Sequence, residues 1–278
     1  MREPKLIIAT GGKGVGKTYT TCKVIGRYIR ANAQTGKEGR KVLIFDVNEE
    51  YDNTELKKNG HEFQTKLLAV EDIAKFAQQK NPEVRRILAR DKNGQPLGID
   101  GKIEILNKIL KYFRSGLLVM EDINNYLIDT KTADVISIMT TNRHRDLDIY
   151  IHLQSLSPVT TRMWQNCAFV RFHKQNDSVT RYKNRLPIPE MYFIAETLVN
   201  IQCKSDRRFF CYVDNEMSKI SGKFSKRAFM VASYNYLMSH PREITKYQQR
   251  FGKGKDAYNK GVAFGIKELT EAYYGNDE

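Results

Sequence analysis

Apolar residues recur along this chain in two rhythms. Leu6-Ile7-Ile8-Ala9, Val42–Phe45 and Leu117–Met120 are unbroken apolar runs, of the length and make-up expected of strands buried on both faces of a sheet. Between them the spacing turns helical. Val24, Ile25, Tyr28 and Ile29 do this within Tyr19–Arg30, as do Ile103, Ile105, Leu106, Ile109, Leu110 and Phe113. Residues 67–79 add a short helical segment, VRRILA at 84–89 reads as a strand or a short helix, and DKNGQPLGIDGK at 91–102 is turn chemistry. Thr130–Thr141 is expected as a helix. Leu147, Ile149, Ile151 and Leu153 then alternate as a strand that closes on Gln154-Ser155. A helix over Val159–Asn166 and a strand over Ala168–Phe172 follow. The pattern is an α/β core with a mostly parallel sheet flanked by helices over residues 1–175. A basic, mostly helical C-terminal extension over 176–278 packs on or beside it. Within it, helices are expected near Pro189–Ile201 and Lys226–Met238, a strand at Arg208–Val213, and two basic helical pieces up to Tyr274.

The join between the first strand and the first helix carries the strongest chemistry. Residues 11–18, GGKGVGKT, fill the phosphate-loop pattern G-x-x-x-x-G-K-[ST] with Gly11, Gly16, Lys17 and Thr18. Glycines allow backbone N–H groups to curl around a polyphosphate, and a helix N-terminus adds its dipole. Gly11, Gly12, Lys13, Gly14, Val15, Gly16, Lys17, Thr18 and Tyr19 are therefore the expected nucleotide-binding residues. Lys17 would reach the β- and γ-phosphates of ATP, and the Thr18 hydroxyl would hold Mg²⁺.

A second signal lies about a hundred residues on. The run LLVM ends in Glu121 and Asp122, and ligands of open α/β sheets bind at the C-terminal ends of strands. A hydrophobic strand ending in acids is the Walker B arrangement. By register Glu121 takes the metal position and Asp122 that of the base which polarises water, although the usual order is Asp-Glu. Gln154, at the end of a later strand, suits a contact to the γ-phosphate or the attacking water, and suits an ordinary turn residue equally well. Arg143 and Arg145 precede that strand, where an exposed guanidinium can serve a neighbouring subunit's transition state or simply be solvated.

Charge narrows the choice of partner. The net charge is +14, and Lys219–Lys260 contains ten Lys or Arg against two acids, Glu243 and Asp256. A polyanion such as DNA is the economical partner. Cys22, Cys167, Cys203 and Cys211 form no C-x-x-C pair and read as reduced core thiols. No run approaches a membrane span and none fits a signal peptide, which gives the expectation of a cytoplasmic protein without a transmembrane segment.

The order GGKGVGKT, FDVNEEY, LLVMED and NRHRDLDIYIHLQSLSPVTTRMWQN resembles the FtsK–HerA superfamily of P-loop motors over roughly residues 5–172. The resemblance implies a RecA/ASCE-like P-loop NTPase fold and ATP-driven DNA translocation by a ring, typically a hexamer. It also implies a sensor role for Gln154 and a finger role, across the subunit interface, for Arg143 or Arg145. Within the superfamily, the compact size is most similar to viral genome-packaging ATPases. That setting would add a capsid or membrane-complex protein as partner, and place the protein in the host cytoplasm or at a virion vertex. The C-terminal quarter resembles no family. Two other readings compete: a nucleotide-gated adaptor with weak hydrolysis, favoured by the reversed acid pair, and a small-molecule kinase, which leaves the basic tail unexplained.

Overall fold

The computed structural model describes residues 3–31, 34, 36, 38–123 and 142–276, with positions 142 and 143 described by their backbone alone. Among the described residues nine strands are formed: β1 (Leu6–Thr10), β2 (Val42–Asp46), β3 (Thr65–Leu67), β4 (Val84–Leu88), β5 (Gly116–Met120), β6 (Leu147–Leu153), β7 (Cys167–His173), β8 (Phe210–Asp214) and β9 (Lys219–Gly222). They follow the order β3-β4-β2-β5-β6-β1-β7-β8-β9 in one sheet. β3 with β4, β4 with β2, β2 with β5 and β5 with β6 are parallel, while β7 with β8 and β8 with β9 are antiparallel. The expected mostly parallel α/β sheet is thus present. The 84–89 segment is the strand β4.

By contact density the chain divides into two compact units. One comprises Met1–Ala9, Gly16–Gln154 and Pro158–Cys167, the other Thr10–Val15, Ser155–Ser157 and Ala168–Glu278. In the first, helix α1 (Lys17–Ile29) buries Cys22, Ile25 and Tyr28 in a cluster with Val42 and Ile44 of β2, Leu117 and Val119 of β5, and Tyr150 of β6. Burial of such side chains stabilises each by about 1.5–3 kcal/mol over exposure. Helix α2 (Asn53–Lys58) is capped by the Asp52 carboxylate, which accepts from the N–H groups of Thr54 and Glu55. Helices α3 (Ile73–Gln78) and α4 (Ile99–Tyr112) follow, and Phe76 stacks on Phe113, centroids 5.7 Å apart. The far end of α1 is tethered as well. The Tyr28 hydroxyl lies 3.0 Å from the Gly116 carbonyl and 2.7 Å from Asp148, to which Arg40 also draws close.

β6 departs from its expected alternation. All seven of its residues are buried, Asp148 and His152 included, because it runs between β5 and β1 in mid-sheet. A central strand has no solvent face, and its polar members must then find partners inside. The helix expected over Thr130–Thr141 lies outside the described residues.

The second unit contains the antiparallel β7-β8-β9 ribbon. Short α5 (Thr161–Asn166) leads into β7 from the first unit, and α6 (Pro189–Gln202), α7 (Lys226–Ser239), α8 (Pro241–Gln248) and α9 (Lys255–Tyr273) complete the second. Met191, Ile194 and Leu198 of α6, Phe229 and Leu237 of α7, Ile244 of α8 and Leu269 of α9 are buried. Cys22, Cys167 and Cys211 are buried free thiols, and Cys203 is a half-buried one. Among the described residues no helix is long and apolar enough to cross a membrane.

Candidate nucleotide site

β1 runs straight into the 11–16 loop, and α1 opens at Lys17 with Gly16 as its N-cap at φ 87°. That left-handed backbone is one a side chain rarely adopts, so glycine is required there. Gly11 is fixed by space as well as by its φ of 153°, since a Cβ there would lie 2.6 Å from the His173 Cβ. The Gly12 N–H donates to the Lys174 carbonyl at 2.8 Å. No acid of the helix itself occupies the first turn of α1. Lys13 and Gly14 are exposed and Val15 is buried, while Lys17, Thr18 and Tyr19 are half-buried. The Tyr19 ring packs against His61 at 5.3 Å and under the Lys23 ammonium at 4.4 Å.

At the end of β5, Glu121 is only 2% exposed. The Tyr51 hydroxyl donates to its Oε1, and His152 Nδ1 lies 2.8 Å from the same oxygen. The other ring nitrogen of His152 is 2.7 Å from the Thr21 hydroxyl on α1. Burial pushes the Glu121 pKa up, but His152, Tyr51 and the Lys17 ammonium together outweigh it and hold it below the usual carboxylate value. Burial, then the Glu121 charge, raise the Tyr51 phenol well above its ordinary value, so it stays a donor. Asp122 is half-buried, sits at φ 42°, and accepts from Asn48 Nδ2 at 2.8 Å.

The turn after β2 makes a third set of contacts. Asp46, fully buried, accepts from the backbone N–H of Glu50 at 2.9 Å and of Tyr51 at 3.3 Å, and pairs with Arg86 at 3.1 Å. Burial is the main reason its pKa rises to about 6, against the lowering effect of Arg86 and the two N–H donors. Glu50 is exposed, and its Oε2 accepts from the Thr18 hydroxyl at 2.5 Å.

These contacts bring Lys17, Thr18, Glu121 and Asp122 into one neighbourhood, together with four residues that sequence reasoning did not nominate: Asn48, Glu50, Tyr51 and His152. FDVNEEY held the first three in plain view. His152 stands two positions before Gln154, among the polar or aromatic residues that alternate with Leu147, Ile149, Ile151 and Leu153.

The remaining candidates divide between the two ends of β6. Gln154 is exposed at the C-terminal end of β6. Arg145 precedes the other end, its carbonyl accepting from the Ser115 N–H at 3.0 Å. At ~3.3 Å per residue, seven residues of strand put the two ends roughly 20 Å apart. Burial, then Arg114, lower the Arg145 pKa, and its Nη1 is buried with no hydrogen-bond partner among the described residues. The Arg143 side chain lies outside the described residues.

The donor set suits a hard cation. Mg²⁺ takes one or two protein oxygens and completes its shell with phosphate and water. A hydroxyl and a carboxylate oxygen 2.5 Å apart, at Thr18 and Glu50, fit that need. Among the described residues no group of three His, Cys, Asp or Glu could hold a metal by itself.

No protein-family model matches the sequence, and no curated protein matches it either. Solved structures do. The genome packaging NTPase B204 from Sulfolobus turreted icosahedral virus 2 superposes in its sulfate complex with a TM-score of 0.51, 13% identity, and coverage of 78% of this chain and 95% of B204. Its AMP complex gives a TM-score of 0.50 and 12% identity over 80% of this chain and 97% of B204. The chain has a P-loop NTPase fold. The N-terminal domain of zonular occludens toxin from Neisseria meningitidis is a looser likeness, at a TM-score of 0.31 and 13% identity over 63% of this chain and 79% of that one. The P-loop NTPase fold agrees with the resemblance drawn from the motifs.

Proposed function

We propose that this chain hydrolyses ATP to move DNA, working as a ring in which each nucleotide lies at a subunit interface. The observation that carries the hydrolysis is the meeting of the Lys17–Thr18 helix start with carboxylates from the ends of two adjacent parallel strands, β2 and β5. B204, which shares the fold, has been solved with AMP and with sulfate.

In this reading the loop amides and the Lys17 ammonium neutralise the polyphosphate, which lowers the cost of charge building on the transferring group. Thr18, with a carboxylate beside it, holds Mg²⁺, which when bound offsets charge on the β- and γ-phosphate oxygens. Asp122 accepts the proton of the attacking water, with Asn48 fixing one of its oxygens. Glu121 supplies fixed negative charge beside it, and Gln154 contacts the γ-phosphate or the water. Because Arg145 and Gln154 stand at opposite ends of β6, Arg143 or Arg145 serves the phosphates of a neighbouring subunit as its finger. The residues of 176–278, with their basic excess, grip DNA phosphates without reading sequence. A virion-associated or cytoplasmic setting and a capsid or membrane-complex partner go with this reading.

A nucleotide-gated adaptor is the second reading. It is favoured by the way Tyr51 and His152 engage Glu121 and Asn48 engages Asp122, which leaves the acid pair committed to protein contacts.

Steady-state ATPase assays with and without DNA separate the two. The motor predicts turnover stimulated several-fold by DNA, the stimulation falling steeply with salt; negligible turnover with nucleotide-dependent partner binding would select the adaptor. Mixing Arg143→Ala subunits with Lys17→Ala subunits should restore part of the activity. No recovery at any ratio would remove the interfacial arginine.

A further inference from the structure

The FDVNEEY turn supplies neither the base nor the fixed charge beside it in the hydrolysis described above, yet it touches the site at three points. Asn48 reaches Asp122, Tyr51 reaches Glu121, and Glu50 reaches Thr18. The last contact has a chemical meaning. A threonine hydroxyl has one proton and two lone pairs, so an acceptor that takes its proton's hydrogen bond orients a lone pair toward a cation on the other side. Glu50 Oε2, at 2.5 Å, is the recipient of that proton's hydrogen bond. Glu121, the acid assigned this duty by the Walker B register, has its Oε1 engaged by Tyr51 and His152 and is 2% exposed.

The geometry points to Glu50 as the positioning residue that turns the Thr18 hydroxyl toward the nucleotide-bound magnesium ion, a role taken over from the acid at the end of β5. This rests on the nucleotide-site reading above. The turn is built to hold such a residue still. Buried Asp46 anchors the backbone of both Glu50 and Tyr51 and is itself held by Arg86. One carboxylate therefore fixes the spacing between the residue that addresses Thr18 and the one that addresses Glu121. Outer-shell partners of this kind change metal affinity by about 10- to 100-fold when removed.

The test is equilibrium binding of a fluorescent ATP analogue, measured with Mg²⁺ and with EDTA. Glu50→Gln should bind as the unaltered chain does in EDTA but lose about ten-fold of the gain in affinity that Mg²⁺ confers. Thr18→Val should lose the same gain, and the double variant should lose no more than Thr18→Val alone. Glu49→Gln removes the adjacent charge, which pairs with Arg90, and should keep the full gain. The proposal is overturned if Glu50→Gln keeps the full gain, if Glu49→Gln loses as much, or if Glu121→Gln loses the gain while Glu50→Gln does not. Lys17→Ala distinguishes the two levels. Analogue binding unaffected by Lys17→Ala in both conditions sinks the nucleotide site itself. Binding lost in Lys17→Ala, with Glu50→Gln unchanged, sinks the assignment of Glu50 alone.

Discussion

Strands β2 and β5 lie side by side, parallel and wholly buried, and each gives way to acids at its C-terminal end. The two ends treat their charge in opposite ways. After β5 the first acid, Glu121, is drawn inside, where the Tyr51 hydroxyl donates to it and His152 lies beside it. The acid that ends β2, Asp46, is also drawn inside, but it is spent on backbone N–H groups and Arg86, and four residues later the chain presents Glu50 to solvent and to Thr18. A buried carboxylate is thus used once as part of the site and once as scaffolding for another carboxylate. Order along the strand does not say which. The partners within reach of each acid decide it.

The contrast can be broken at several points, the largest effect first. Glu121→Ala should cost about 3–5 kcal/mol in urea unfolding, because it strands a buried histidine and a buried phenol. A loss below about 1 kcal/mol would mean that Glu121 is not the clamped acid described. Tyr51→Phe removes one donor from that carboxylate and should cost about 1–3 kcal/mol, while leaving the Mg²⁺-dependent gain in nucleotide affinity in place. Glu50→Gln, at an exposed site, should stay within about 0.5 kcal/mol in the same unfolding assay. A large destabilisation there would make Glu50 a structural group and erase the difference between the two strand ends.

Asp46 offers a test by pH. Its folded pKa of about 6 lies above its ordinary value of 3.8, so between those pH values the folded chain binds more protons than the unfolded one. The stability due to this group is fully present below pH 4 and is lost as pH rises through 6. Asp46→Asn should remove that loss. The difference in unfolding free energy between the two proteins, followed from pH 4 to 7, should drift in the variant's favour. A flat difference would mean that burial does not perturb Asp46.

Much of this was legible in the chain. GGKGVGKT between an apolar run and a helical one fixed the loop, and LLVM before Glu121 fixed β5, because a strand buried on both faces leaves an unbroken apolar signature. What stayed hidden follows a physical rule. Tyr51 and Glu121 are 70 residues apart and Thr21 and His152 are 131 apart, and periodicity tells which face a residue takes but not which residue it meets. FDVNEEY has two glutamates in a row with nothing to say which one addresses Thr18; the folded turn decides that, pairing Glu49 with Arg90 and Glu50 with Thr18. β3 escaped notice for a different reason, since its three residues include Leu67, 60% exposed, and leave too short a signature to read.

Helix α1 ties these parts together mechanically. Its thirteen residues make a rod of about 20 Å, gripped at one end by Thr18–Glu50 and Thr21–His152 and at the other by the Tyr28 hydroxyl at Gly116 and Asp148. Gly116 and Asp148 stand where β5 and β6 begin, beside Arg145. A stiff rod fastened at both ends cannot tilt at one without moving the other. The start of α1 and the strand ends at Gly116 and Asp148 are therefore held at a fixed spacing by one helix.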